Sequence, residues 1–97
     1  MQIFGRAINY TVDVVTVTAE EIDFSADVSS EHLIKINPNA TGVHILLTPS
    51  GSTDNADADD YLLPNEETEF LVGRGLDRIS FYKEGAGDAK VYVVVLF

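Results

Sequence analysis

The sequence predicts an all-β domain folded as a small antiparallel β-sandwich. Short segments rich in β-branched and aromatic residues alternate apolar and polar positions, and turn residues separate these segments about every eight to twelve positions. No window carries the apolar spacing of an amphipathic helix. We expect seven or eight strands, arranged as a jelly roll in the first place or as an immunoglobulin-like Greek key in the second.

The first half of the chain contributes the segments with the clearest alternation. Strands are predicted over residues 2–9, 10–17, 22–25, 32–36 and 43–48. Thr18 is a suitable N-cap for a single helical turn over residues 18–23. Pro38 and Gly42 supply turn chemistry, so residues 32–48 are interpreted as a hairpin.

The second half continues with strands over residues 67–72, 77–82 and 89–97. The last of these is apolar on both faces after Lys90. One face carries Val91, Val93, Val95 and Phe97, and the other carries Tyr92, Val94 and Leu96. Either the N-terminal segment, with Ile3, Phe4 and Ile8, covers the second face, or another subunit covers it.

Length and composition favour a single folded domain, residues 1–97. A chain of 97 residues with 45% hydrophobic content buries enough surface for one core. Residues 1–10 are predicted as an N-terminal arm or an edge strand. The chain has no cysteine, which excludes disulfides and thiolate zinc sites.

The charge of the chain disfavours polyanionic partners. The formal net charge is −10, and the six Lys and Arg residues are scattered along the sequence. Neither nucleic acid nor an anionic membrane is therefore an expected partner. The N-terminus lacks a basic region followed by an apolar core, so we expect no signal peptide. We expect the protein to be synthesised in the cytoplasm.

Residues 53–70 carry seven of the 16 acidic residues and no basic residue. The main interpretation is a solvated surface loop that joins the two sheets, mobile because its carboxylates repel one another. A calcium site at Asp57, Asp59 and Glu66 is the alternative. An EF-hand is rejected, because Asp60 stands where that loop needs Gly and Pro64 stands where its helix begins.

The other polar residues do not indicate a catalytic reaction. His32 and His44 lie on the two arms of the expected hairpin, but a zinc site there has no third ligand set by spacing. No nucleophile elbow or phosphate loop is present, so we expect no enzyme and no cofactor. Arg74 and Arg78 pair either with carboxylates of their own chain or with those of a neighbouring subunit.

The order of these segments resembles that of the small all-β virion structural proteins of tailed bacteriophages. The resemblance is carried by Val17-Thr-Ala-Glu-Glu-Ile22, Leu33-Ile-Lys-Ile-Asn-Pro38, Gly42-Val-His-Ile45, Leu63-Pro-Asn-Glu-Glu67, residues 75–82 and residues 91–95.

This resemblance implies a non-enzymatic capsid decoration or cement protein, located in the virion. It also implies assembly as a homo-oligomer, preferably a trimer, on a major capsid or other virion protein. The alternatives are a neck, tail or fibre component, or a carbohydrate- or receptor-binding β-sandwich that uses Tyr10, Tyr61, Tyr82 and Tyr92.

Overall fold

A computed structural model describes residues 5–14, 20–26, 28, 31–85 and 87–97. These residues form eight β-strands, which are β1 (Ala7–Val14), β2 (Glu20–Asp23), β3 (His32–Asn37), β4 (Val43–Thr48), β5 (Tyr61–Leu62), β6 (Thr68–Val72), β7 (Arg78–Lys83) and β8 (Ala89–Leu96). Within the described ranges, no helix has the length and apolar character needed to cross a membrane.

The strands form two antiparallel sheets of four strands each. Sheet A has the order β1-β8-β3-β6, and sheet B has the order β2-β7-β4-β5. Their inner faces share one hydrophobic cluster, so the two sheets pack against each other as a sandwich. The predicted all-β sandwich is confirmed.

The strand order places partners that are distant in sequence side by side. β1 pairs with β8, β2 with β7, β3 with β6 and β4 with β5, as in one long antiparallel hairpin wound into two layers. Among the described strands, only β4 and β5 are consecutive and in the same sheet; every other connection changes sheet. The choice between jelly roll and immunoglobulin-like topology stays a prediction.

The hairpin predicted over residues 32–48 is wrong, because β3 lies in sheet A and β4 in sheet B. Five residues connect the two strands, more than the two-residue loops that most often close hairpins. Asn39 has a φ of 50° and Gly42 a φ of 83°, and this pair of left-handed residues turns the chain from one sheet to the other.

Two further expectations differ from the structure at the level of local elements. Glu20–Asp23 is a strand rather than part of a helical turn, because its pairing with β7 outweighs the capping signal. Residues 18 and 19 lie outside the described residues, as do residues 2–4 and 15–17 of the predicted N-terminal strands. β5 has only two residues inside the acidic stretch, too few for alternation to be visible.

Alternation of side chains builds the core from the inner faces of both sheets. In β8, Val91, Val93 and Val95 are at most 1% exposed, while Tyr92 between them is 45% exposed. Sheet B contributes Ile79 and Phe81, both fully buried. Burying each such side chain stabilises the fold by about 1.5–3 kcal/mol.

Gly42 is expected to tolerate substitution less well than Gly51, although their φ angles of 83° and 85° are nearly the same. A Cβ on Gly42 would lie 2.5 Å from the carbonyl oxygen of Glu84, whereas a Cβ on Gly51 meets nothing within 4 Å. We expect Gly51→Ala to lower the free energy of unfolding by about 1–2 kcal/mol. We expect Gly42→Ala to lower it by about 3 kcal/mol or more.

Urea denaturation of the two variants measures this difference. Equal losses of stability would show that the turn at Gly42 shifts freely to admit a methyl group.

Candidate interaction faces of the sandwich

The connection between β4 and β5, residues 49–60, lies over the outer face of sheet B; we call it the acidic connection. Its middle is held by β7, where Ile79 and Phe81 point into the core and Arg78 and Ser80 therefore point outward. The backbone N–H of Ala56 donates to the hydroxyl of Ser80 at 2.9 Å.

Arg78 makes most of the contacts under the acidic connection. Its side chain is buried, and Nη1 donates to the Thr48 hydroxyl at 3.0 Å and to the Asp54 carbonyl at 2.6 Å. Nη2 donates to Asn55 Oδ1 at 2.9 Å, and Nε donates to the carboxylate of Glu21. One guanidinium thus joins β2, β4 and the acidic connection to β7 through charge-assisted hydrogen bonds.

The start of the acidic connection is fixed at Ser50. Its hydroxyl donates to Asp23 Oδ2 and its backbone N–H donates to Asp77 Oδ1, both at 2.6 Å. The hydrogen bonds from Ser50, and then those from Ser25, hold the pKa of Asp23 below its ordinary value. This contact between β2 and the acidic connection is therefore present above the ordinary pKa of an aspartate and weakens as the pH falls through the lowered value.

The end of the acidic connection is fixed at His44 of β4, whose side chain is buried. Nδ1 of this ring lies 2.9 Å from the carbonyl oxygen of Asp60, and Nε2 lies 2.6 Å from Glu84 Oε2. Burial lowers the pKa of His44, but the hydrogen bonds to Asp60 and Glu84 outweigh it and leave the pKa above its ordinary value.

The residues of the alternative calcium site do not converge. Asp57 Oδ1 accepts the backbone N–H of Asp59, and Asp60 Oδ2 accepts that of Asp57, so these carboxylates cap their own turn. In the part of the chain that the structure describes, no group of three His, Cys, Asp or Glu side chains is placed to hold a metal ion. Glu66 lies beyond β5, in the next connection.

The two histidines are also separated. His32 is in sheet A, where its Nε2 lies 3.1 Å from the carbonyl oxygen of Leu76 and its ring forms a T-shaped pair with the ring of Phe24. His44 is in sheet B. The expected proximity of His32 and His44 is therefore wrong, because it depended on the hairpin that does not form.

The expected loop of residues 53–70 is corrected in two respects. It is not one loop, because it contains β5 in sheet B and the start of β6 in sheet A, and only residues 63–67 cross between the sheets. Its first part is held against β7 by hydrogen bonds rather than loosely solvated. Sequence reasoning missed the pinning because the partners of Arg78 lie 23 to 57 positions away along the chain.

The outer face of sheet A contrasts with that of sheet B. Along one row of the sheet, the cross-strand partners are all apolar: Ala7, Leu96, Leu33 and Leu71. Leu71 is 64% exposed, and Val94 and Leu96 are half-buried. A shallow pocket of about 300 Å³ opens here, lined by Lys35, Asn37, Glu67, Tyr92, Val94 and Leu96.

Charges on the outer face of sheet A are paired across strands. Lys35 Nζ lies 3.4 Å from Glu69 Oε1 and 4.0 Å from Glu67 Oε1, and Lys90 Nζ lies 3.8 Å from Asp13 Oδ1. The outer side of sheet B has a buried cation instead, Arg78, beneath exposed or half-exposed carboxylates of Glu21, Asp23, Asp54, Asp57, Asp59 and Asp60. The negative charge is thus concentrated on one side of the sandwich.

The predicted interface residues fall in different places. Tyr92, Val94 and Leu96 share the outer face of sheet A. Ile8 pairs with Val95 and so points toward the inner side, while Ile3 and Phe4 lie outside the described residues. Arg74 is exposed in the turn between β6 and β7. Arg78 is buried and donates hydrogen bonds to residues of its own chain, which agrees with the intramolecular alternative for this residue.

Comparison with known proteins gives a likeness of fold. No family model matches the chain, and no curated protein matches it in sequence. A solved structure of Bacillus endospore appendages, described as a novel family of disulfide-linked pili, is similar with a TM-score of 0.59 and 16% identity. The alignment covers 99% of this chain and 92% of that chain. At this identity the likeness establishes the sandwich fold only.

The expected role as a capsid decoration protein is wrong on this finding, because the likeness is to a pilus protein rather than to a virion protein. It gives no support to a capsid partner, to a trimer or to a location in a virion. A neck, tail or fibre role fits no better.

Exposed tyrosines clustered in one groove would favour the ligand-binding alternative. Tyr10 packs beside Phe24, Tyr61 lies at an edge of sheet B, Tyr82 lies beside His44, and Tyr92 is on the outer face of sheet A. The four rings are therefore dispersed over the sandwich.

Replacement of Arg78 is expected to release the acidic connection. Arg78→Met leaves the Asp54 carbonyl and the Thr48 hydroxyl without their donor, so we expect the free energy of unfolding to fall by about 2–4 kcal/mol. Backbone amides of residues 54–57 should exchange faster with solvent, as measured by hydrogen exchange. Arg74→Met removes the same charge from an exposed turn and should change stability by less than about 0.5 kcal/mol. Similar losses in both variants would contradict the role of Arg78.

Proposed function

We propose that this protein is a non-enzymatic structural subunit that associates non-covalently with further copies of itself. The observation that carries the proposal is the outer face of sheet A, where β8 is apolar on both sides. Its inner side chains fill the core, and its outer side chains Tyr92, Val94 and Leu96 are not covered by any described segment.

The position of this face within the sheet supports association. A central strand that is apolar on both faces is typical of a sheet covered on both sides, whereas an antiparallel sheet facing water usually carries polar outer side chains. β8 lies between β1 and β3, so its outer side chains are flanked by strands rather than by turns. Leu96 has the apolar neighbours Ala7 and Leu33, whereas Val94 lies between Asn9 and Lys35, and Tyr92 lies between Thr11 and Asn37. Covering this face would stabilise the assembly by about 25 cal/mol for each Å² of apolar surface removed from water.

The charge distribution favours a second copy as the partner that covers the face. The face carries two lysines paired with three carboxylates, so two such faces meet with little net repulsion. The acidic sides of both copies remain in solvent and far apart. Because each chain carries a net charge of −10, added salt should strengthen the association by screening the remaining repulsion.

The likeness to a pilus protein supports a structural role. The two proteins differ in how their subunits can be linked. The appendages are described as disulfide-linked, whereas this chain contains no cysteine. A polymer of this chain would therefore be held by packing and charge alone.

The strand pairs β1–β8, β2–β7, β3–β6 and β4–β5 favour the jelly roll as the class of sandwich.

Light scattering of the purified protein tests the proposal. We expect a native mass above the 10.6 kDa of one chain, increasing with protein and salt concentration. Tyr92→Lys should shift the protein toward the monomer, because it places an uncompensated charge in the apolar contact. Thr41→Lys adds the same charge in the exposed turn between β3 and β4 and should leave the mass unchanged. A wild-type protein that stays monomeric at high salt would contradict self-association.

A further inference from the structure

His44 lies between two groups that can only accept hydrogen bonds. Nδ1 faces the carbonyl oxygen of Asp60 at 2.9 Å, and Nε2 faces the carboxylate of Glu84 at 2.6 Å. A neutral imidazole has one N–H and can donate to only one of them, which leaves a ring lone pair opposite an oxygen lone pair. The imidazolium ion donates to both. The geometry therefore selects the protonated ring.

The groups around His44 act on its charge in both directions. The ring of Tyr82 on β7 lies 6.2 Å away between ring centres, and Leu62 of β5 is the cross-strand partner. Lys83 is the nearby cation, and its Nζ donates to the backbone carbonyl of Glu84 at 2.7 Å. The carboxylate of Asp60 turns away to its own loop, where it accepts the backbone N–H of Asp57. The Asp60 carbonyl and the Glu84 carboxylate stabilise the cation through hydrogen bonds, and the negative charges of Glu84 and Asp60 add to this.

The two contacts of His44 hold a short element in place. Asp60 directly precedes β5, which pairs with β4 at His44 and Ile45, and the backbone N–H of Leu63 just after β5 donates to the carbonyl of Val43. A strand of two residues has few backbone hydrogen bonds of its own, so its position depends on side-chain contacts. Glu84 begins the turn between β7 and β8, and its side chain is 58% exposed.

We propose that His44 is a pH-operated latch, whose protonated ring fastens β5 and the end of the acidic connection to sheet B and whose neutral ring releases one of these two contacts. The latch is on the opposite side of the sandwich from the outer face of sheet A and does not depend on the proposed self-association. Because protonation is favoured in the folded state, the stabilisation is complete below the ordinary histidine pKa of about 6.5. It is lost as the pH rises through the higher folded-state value.

Two measurements on the full chain test the latch between about pH 5.5 and 8.5. NMR titration of the His44 ring should give a midpoint above 6.5, and amides of residues 60–62 should lose protection from hydrogen exchange as the ring deprotonates. Amides of β8, corrected in the same way for the intrinsic pH dependence of exchange, should show no such step.

Glu84→Gln is the deciding variant, because it removes the charge at an exposed position and leaves the buried ring in place. It should lower both the titration midpoint of His44 and the pH at which residues 60–62 lose protection. Asp13→Asn removes an equal charge from sheet A and should change neither. An unchanged midpoint in Glu84→Gln, or a wild-type midpoint at or below 6.5, would overturn the proposal, as would the same exchange step in His44→Gln.

Discussion

The buried guanidinium of Arg78 is the interaction on which the outer side of sheet B depends. A buried cation is costly unless its donors are paired, and here the partners come from β2, β4 and the acidic connection. The same contacts hold the acidic connection against sheet B, although repulsion among its own carboxylates favours a mobile loop. With Ser50 at one end and His44 at the other, the acidic connection covers sheet B along its length.

The consequence is a sandwich with two unlike sides. One side is closed by its own chain and carries more of the named carboxylates than the other. The other side presents apolar side chains of a central strand with charges paired around them. A closed acidic side disfavours contact with a second copy, whereas an apolar side with balanced charge favours it. The proposed assembly and the latch at His44 are on opposite sides of the sandwich. The assembly uses the uncovered outer face of sheet A, and the latch holds the segment that covers sheet B.

Much of the local structure is predictable from alternation alone. The strands expected over residues 32–36, 43–48, 67–72, 77–82 and 89–97 agree with β3, β4, β6, β7 and β8 to within one residue at each end, and the two-sided β8 lies where a central strand was expected. Sheet membership was not predictable, because it depends on whether a connection turns back or crosses the sandwich. Likewise, nothing in the spacing links Arg78 to Glu21 or Asn55. The resemblance to virion proteins failed as a guide to function because orders of strands and turns recur in sandwiches of unrelated roles.

In the proposed assembly, another copy of the chain covers the outer face of sheet A. Hydroxyl-radical footprinting of the wild-type protein at low and high concentration tests it directly, since Tyr92 and Tyr61 are 45% and 55% exposed in the single chain and lie on different sheets. We expect Tyr92 to become protected as the concentration rises, while Tyr61 keeps its reactivity. An assembled protein in which Tyr92 stays as reactive as in the dilute monomer would contradict it.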